Sequence, residues 1–242
     1  VERGASLAYA ELLDAVRAVA RSYLSHDVQV GARIVIWAPN STAWAVAALA
    51  TTYVGATLVP ANSRYTAHEV ADLVQRTRAR VAVVADGFLG GSQLADLTTA
   101  LSDALPDALP DDSPGRVVGL ADLGGAGSIL SASRCETRAD RVDPDDVADV
   151  LFTSGTTGRS KGAMSAHRQS IGVARAWAEL GGVRPDDRYL VVNPFFHSFG
   201  YKIGILVGLL TGCTLHPVAT FDVDATMALV QDEQITLLPG AP

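Results

Sequence analysis

The chain has 242 residues, 48% of them hydrophobic, and a formal net charge of −7 at pH 7. This apolar content excludes a globally disordered chain and supplies core for one large domain or two small ones. The acidic balance, with no long Lys/Arg run, argues against nucleic acid or an anionic membrane as the main partner, yet leaves local basic groups free to grip phosphates.

Leu12, Leu13, Val16, Val19, Ala20, Tyr23 and Leu24 recur at helical spacing and predict an amphipathic helix over residues 8–25. Arg33 to Ala38 reads as a strand, and Asn40 or Ser41 can cap a helix running to Tyr53. Gly55 ends that helix, and Ala56 to Val59 reads as a second strand. No charged residue occurs from Ile34 to Ser63, a length that could span a bilayer. Pro39, Asn40 and Ser41 interrupt it early and Gly55 and Pro60 late, so strand, buried helix and strand are expected instead. Thr66 with Glu69 three residues on forms a capping box, and Val81 to Ala85 is a third strand. The order βαβαβ argues for a parallel α/β sheet.

Residues 99–143 are rich in Asp, Pro, Gly, Ser and Ala and read as an irregular connector holding one short strand, Arg116 to Leu120. The acidic stretch Asp143 to Asp149 reads as a solvated rim leading into a buried strand, Val147 to Phe152. Beyond it, a helix is expected over 165–180, a strand over Tyr189 to Asn193 and a helix over Tyr201 to Leu210. A strand over Cys213 to His216, a helix capped by Asp222, and a strand over Ile235 to Leu238 follow. The fold class is α/β, with two mostly parallel sheets and helices between and around them. The expected division is 1–98, a connector 99–143, and a second α/β subdomain 144–242. Cys135 and Cys213 lack metal-ligand spacing and fit reduced thiols of a cytoplasmic protein.

The most informative stretch is Thr153-Ser154-Gly155-Thr156-Thr157-Gly158-Arg159-Ser160-Lys161-Gly162, placed directly after a buried strand. Glycines allow close approach of the backbone to a ligand, and successive N–H groups form an anion-binding concavity. Hydroxyls add donors, and Lys161 supplies a point charge, so the chemistry implied is gripping a polyphosphate. A P-loop would need Gly-Lys-Ser/Thr, whereas Ser160 precedes Lys161 and Gly162 follows it.

A second constellation, Asn193-Pro194-Phe195-Phe196-His197-Ser198-Phe199-Gly200, lies after a strand and before a helix, where ligands collect in parallel sheets. Alone, His197 reads as a packed structural residue; beside a phosphate loop it reads as part of an aromatic-lined pocket for an organic acid. Lys202 is the only charge between Arg188 and Asp222. It reads either as a snorkelling surface lysine or as a cation contacting a substrate oxygen or a CoA phosphate.

The Ser-Gly-Thr-Thr-Gly-x-x-Lys-Gly pattern resembles the phosphate loop of the adenylate-forming (AMP-binding) superfamily, which includes acyl-CoA synthetases. Asn62-Ser63-Arg64-Tyr65-Thr66, the phosphate loop and the Phe-His stretch occur in that family's order. The wording of Phe152 to Gly162, Ala166 to Ser170 and Asn193 to His197 is similar to actinobacterial fatty-acid–CoA ligases that activate steroid-ring propionates. The resemblance implies an AMP-forming acid–thiol ligase using ATP, Mg²⁺ and CoA as co-substrate on a small carboxylic acid. It implies that Thr153, Ser154, Gly155, Thr156, Thr157, Gly158 and Lys161 hold the ATP phosphates, with Thr153 near Mg²⁺. His197, Phe199, Gly200 and Lys202 would border the acyl group, His197 and Lys161 acting in catalysis.

Family members continue past a Leu-Pro-Gly stretch like Leu238-Pro239-Gly240 into segments for adenine, ribose and a mobile domain with a catalytic lysine. By that comparison the chain is expected to be a truncated large N-terminal domain, inactive by itself and prone to homodimerise through exposed apolar surface. Two other readings are a nucleotide-binding module without catalysis and an adenylating enzyme that loads a carrier-protein thiol.

Overall fold

The computed structural model describes residues 6–104, 115–125, 132–153 and 160–240. In chain order these form α1 (Tyr9–Ser25), β1 (Arg33–Trp37), α2 (Thr42–Tyr53), β2 (Thr57–Ala61), α3 (Ala67–Thr77) and β3 (Val81–Val84). Then come α4 (Gln93–Ala104), β4 (Arg116–Gly119), α5 (Ala132–Ala139), β5 (Val147–Thr153), β6 (Lys161–Ala166) and α6 (His167–Gly181). The last elements are β7 (Arg188–Val191), a π-helical stretch Phe199–Leu206 continuing as α7 (Val207–Thr211), β8 (Thr214–Pro217) and α8 (Val223–Asp232).

Six strands form one sheet in the order β4-β3-β1-β2-β5-β6, and β7 pairs with β8 in a second, two-stranded parallel sheet. All pairings in the large sheet are parallel except β5 with β6. The uncharged stretch from Ile34 to Ser63 accordingly resolves as β1, α2 and β2. No helix among the described residues is long and apolar enough to cross a membrane.

The central strands are apolar at successive positions because both faces of the sheet are covered. Ile34, Ile36, Val81 and Val83 enter one core, which contains α1, α2 and the aromatics Trp44, Phe195 and Tyr201. Val35, Trp37, Ala82 and Val84 enter the other, closed by Val70, Leu73 and Val74 of α3 and Leu97 and Leu101 of α4. Ser41 caps α2 by accepting from the Trp44 N–H, at 3.0 Å. Thr66 and Glu69 form the expected capping box of α3, with Glu69 accepting from the Thr66 N–H at 2.7 Å.

Four sequence expectations change. The segment after Thr153 does not run straight into a helix: Lys161–Ala166 is β6, antiparallel to β5, and α6 begins at His167. The stretch 99–143 holds the end of α4 and all of α5 besides β4. The expected strand at Ile235 to Leu238 reduces to one bridge, Tyr189 with Leu237. The large sheet also continues past residue 144, since β5 and β6 complete its edge.

The helix between β7 and β8 lies unusually close to its sheet. A Cβ on Gly204 would sit 2.9 Å from Val191 Cγ1, and one on Gly208 would sit 2.6 Å from Leu215 Cδ1. At Gly200 the obstacle is backbone: a Cβ would be 2.2 Å from the Pro194 carbonyl oxygen. Only glycine lets the chain turn back on itself there, directly after His197.

Candidate functional site

Strand β5 ends at Thr153, and β6 starts at its ladder partner, Lys161. This rung brings both ends of the phosphate-loop motif together, with the Thr153 hydroxyl 3.4 Å from the Lys161 carbonyl oxygen. Ser154, Gly155, Thr156, Thr157 and Gly158 lie outside the described residues. Gly162 faces Phe152 across the ladder, and a Cβ there would lie 2.8 Å from Val150 Cγ1 and 3.1 Å from Phe152 Cζ. The glycine after the lysine is therefore a packing requirement of this hairpin.

A cavity of about 440 Å³ opens at the carboxyl ends of β2 and β5, the position where open α/β sheets collect ligands. Thr153, Tyr65, Ser165, Phe196, His197 and Lys202 contribute to its wall. His197 is exposed to it. The His197 Nδ1 accepts from the Phe199 N–H at 3.2 Å. In the neutral ring the proton then sits on Nε2, which is left as a donor.

The segment carrying His197 is held from behind by Asn40, a buried side chain at the end of β1. Its Nδ2 donates to the Asn193 carbonyl at 2.9 Å, and its Oδ1 accepts from the Phe195 N–H at 2.7 Å. Trp44 of α2 packs on Phe195, with ring centroids 5.3 Å apart. Phe199 turns away from the cavity and meets Trp177 edge-on at 6.4 Å. Trp177 in turn stacks on Tyr189 at 6.2 Å.

Lys202 is not a snorkelling surface lysine. Its side chain is 9% exposed and pairs with Asp149, which is fully buried, at 3.1 Å. Its Nζ also donates to Ser165 Oγ at 2.8 Å, while Ser170 Oγ donates to the other Asp149 oxygen at 2.7 Å. The lysine thus ties the π-helical stretch to both strands of the hairpin. The Tyr201 hydroxyl beside it is pushed to a higher pKa by burial and by the Asp149 carboxylate. Asp149 belongs both to the acidic stretch expected to be a solvated rim and to the expected buried strand Val147 to Phe152, and the structure buries it. His167, at the start of α6, has its pKa lowered chiefly by burial. Among the described residues no group of three or more His, Cys, Asp or Glu is arranged to hold a metal.

Thr153, His197 and Lys202 therefore share one cavity, Lys161 is the rung partner of Thr153, Gly200 sits under the Pro194 carbonyl, and Phe199 faces a separate aromatic cluster. None of Asn40, Asp149, Ser165 and Ser170 is assigned to the site from sequence; Asn40 reads there as a helix cap candidate and Asp149 as a rim acid. Each lies far along the chain from the group it holds, so no motif spacing could have revealed it.

The profile of the family described as AMP-binding enzyme matches residues 1–242. The chain is 49% identical over 244 residues to the 3-[(3aS,4S,7aS)-7a-methyl-1,5-dioxo-octahydro-1H-inden-4-yl]propanoyl:CoA ligase of Rhodococcus jostii (strain RHA1), covering 98% of this chain and 47% of that one. It is 45% identical over 240 residues to the ligase of the same name from Mycobacterium tuberculosis (strain ATCC 25618 / H37Rv), covering 96% and 46%. The chain thus spans about half the length of the curated relatives it matches. Among solved structures, ATP-bound MatB from Rhodopseudomonas palustris superposes with a TM-score of 0.76 at 25% identity, covering 98% of this chain and 44% of that one.

Proposed function

The chain belongs to the AMP-binding enzyme family, and on that premise we propose that the whole protein is an ATP-dependent carboxylate–CoA ligase. In its first step a carboxylate oxygen attacks the α-phosphorus of ATP, the bond to the bridging oxygen breaks, and acyl-AMP and pyrophosphate form. In its second step the CoA sulfur attacks the acyl carbon, its proton is lost, and AMP leaves. The observation that carries this reading is that Thr153, the ladder partner of Lys161, lines one cavity with His197 at the carboxyl ends of β2 and β5.

Both steps depend on positioning and charge neutralisation. Lys161 and the Thr153 hydroxyl would hold the phosphates that leave as pyrophosphate, together with Ser154, Gly155, Thr156, Thr157 and Gly158. Mg²⁺ would arrive with the triphosphate and neutralise its oxygens. A single hydroxyl such as that of Thr153 suits an ion that keeps most of its waters and takes few protein ligands. The His197 Nε2–H would donate to the carboxylate or acyl oxygen and orient it. Lys202, fixed by Asp149 and Ser165, would present its remaining N–H as a rigid donor to a substrate oxygen. Gly200, packed under the Pro194 carbonyl, would let the chain turn directly after His197 and so set where that ring points. Tyr65 and Phe196, which line the cavity beside His197, would form an apolar surface suited to a ring-bearing acid, and the names of the two relatives favour a bulky propionate.

Carboxylate-dependent ATP–pyrophosphate exchange by the whole protein tests the reading, with a panel from short fatty acids to ring-bearing propionates. Exchange that requires a carboxylate supports the ligase, and the best acid names the substrate class. ATP binding without exchange for any acid would leave a nucleotide-binding module instead.

A further inference from the structure

The anion-gripping rung is itself gripped by an arginine that belongs to neither strand. Arg76 lies in the last turn of α3, on the far side of the hairpin in sequence. Its Nη2 donates to the Ser160 carbonyl at 2.6 Å, and its Nη1 donates to Ser160 Oγ at 3.2 Å. The guanidinium carbon stands 4.9 Å above the centre of the Phe152 ring. Asp72, one turn earlier on α3, holds the same Nη1 at 3.3 Å. Ser160 directly precedes Lys161, and Phe152 directly precedes Thr153. One side chain therefore touches both residues that bracket the Thr153–Lys161 rung.

We propose that Arg76 is a positioning residue for Lys161 and Thr153, setting the register in which they meet the outer phosphates of ATP. The inference rests on the phosphate assignment of that rung. Lysine is a point charge on a flexible stem, so where its ammonium can reach depends on where its backbone is fixed. Arginine suits the task because its planar fork can bond a carbonyl and a hydroxyl of one residue while its face lies on an aromatic ring. The Arg76 side chain is 23% exposed, which leaves these contacts less screened than those of a free surface arginine. The α3 frame that carries it is fixed by the Thr66–Glu69 capping box.

The test measures affinity for Mg·ATP and for AMP by titration calorimetry, with thermal unfolding in parallel. It uses wild type, Arg76→Ala, Arg76→Lys, Lys161→Ala and the Arg76→Ala/Lys161→Ala pair. Arg76→Ala is expected to weaken ATP binding about tenfold while AMP binding holds, because only the outer phosphates meet the rung. Arg76→Lys should recover part of the loss. In the Lys161→Ala background the Arg76 substitution should have little further effect, as for residues that act through one another. A fall in unfolding temperature with an unchanged ATP-to-AMP preference would overturn the proposal and leave Arg76 as a mere tie between α3 and the sheet. If Arg76→Ala does not fold, Arg76→Lys decides: wild-type preference would overturn the proposal, and a several-fold loss would support it. Lys161→Ala with an intact preference would sink the phosphate reading itself, a result distinct from failure at Arg76 alone.

Discussion

Replacing Asp149 by leucine should destabilise the chain far more than removing any exposed carboxylate. Asp149 is fully buried, and its carboxylate faces Lys202 at 3.1 Å and the Ser170 hydroxyl at 2.7 Å. The pair is held by charge as much as by alignment, since the Asp149 oxygen nearest Lys202 makes no well-directed hydrogen bond. Leucine has nearly the shape of aspartate, so little packing is lost. What remains is an ammonium with a 9% exposed side chain whose surviving described partner is Ser165 Oγ. Leaving one half of a buried ion pair uncompensated costs about 3–5 kcal/mol. With a urea slope of about 3 kcal/mol/M, the midpoint should fall by upwards of about 1 M. Asp149→Leu combined with Lys202→Met and Ser170→Ala removes the buried charges and the hydroxyl packed on them, leaves Ser165 Oγ facing the cavity, and should return to within about 2 kcal/mol of wild type. Asp145→Ala, which breaks the Arg168 pair between side chains 65% and 64% exposed, serves as the control and should cost less than about 1 kcal/mol. The assay is equilibrium urea unfolding followed by tryptophan fluorescence. A single Asp149→Leu that matches the Asp145 control would refute the desolvation argument. So would a triple variant as unstable as the single one.

Gly200→Ala should cost at least about 2 kcal/mol, because its Cβ would collide with the Pro194 and Asn193 carbonyl oxygens and the segment behind His197 would have to move; a thermal melt indistinguishable from wild type would contradict this. Thr66→Ala removes the cap of α3 and should cost about 1 kcal/mol, read from the urea midpoint. His216 is 3% exposed, and burial, helped by Arg188, lowers its pKa from the ordinary 6.5. The folded state therefore holds the neutral ring, while the unfolded chain gains a proton below pH 6.5. The contribution of His216 to stability is complete above that pH and is lost as pH falls toward the folded pKa. His216→Leu should accordingly reduce the stability lost between pH 7.5 and 5.5, measured by unfolding at both pH values; an unchanged pH slope would show that the ring protonates freely in the folded state.

The sequence by itself determined the elements that depend on neighbours in the chain. Periodicity found α1, the apolar runs found β1, β3 and β5, and the Thr66–Glu69 spacing found the start of α3, because each signal acts within one or two turns. The loop motif stood out because its glycines, hydroxyls and lysine are consecutive, and His197 because it follows a strand within an aromatic run; their binding roles are those proposed above. The connector concealed α5, whose short helix draws support from α1 and α2 rather than from strong propensity of its own. β6 escaped notice because an edge strand exposed along Lys161 to Met164 carries no apolar alternation.

Only the tertiary structure decided which charges are buried. Asp149 and Lys202 are 53 positions apart (202 − 149) and look like a rim acid and a surface lysine until the π-helical stretch is laid across the hairpin. Arg76 acquires its place at Ser160 in the same way, through 84 residues of separation. Whether a charge is solvated or paired depends on what the fold brings within about 4 Å of it, and chain order does not encode that distance.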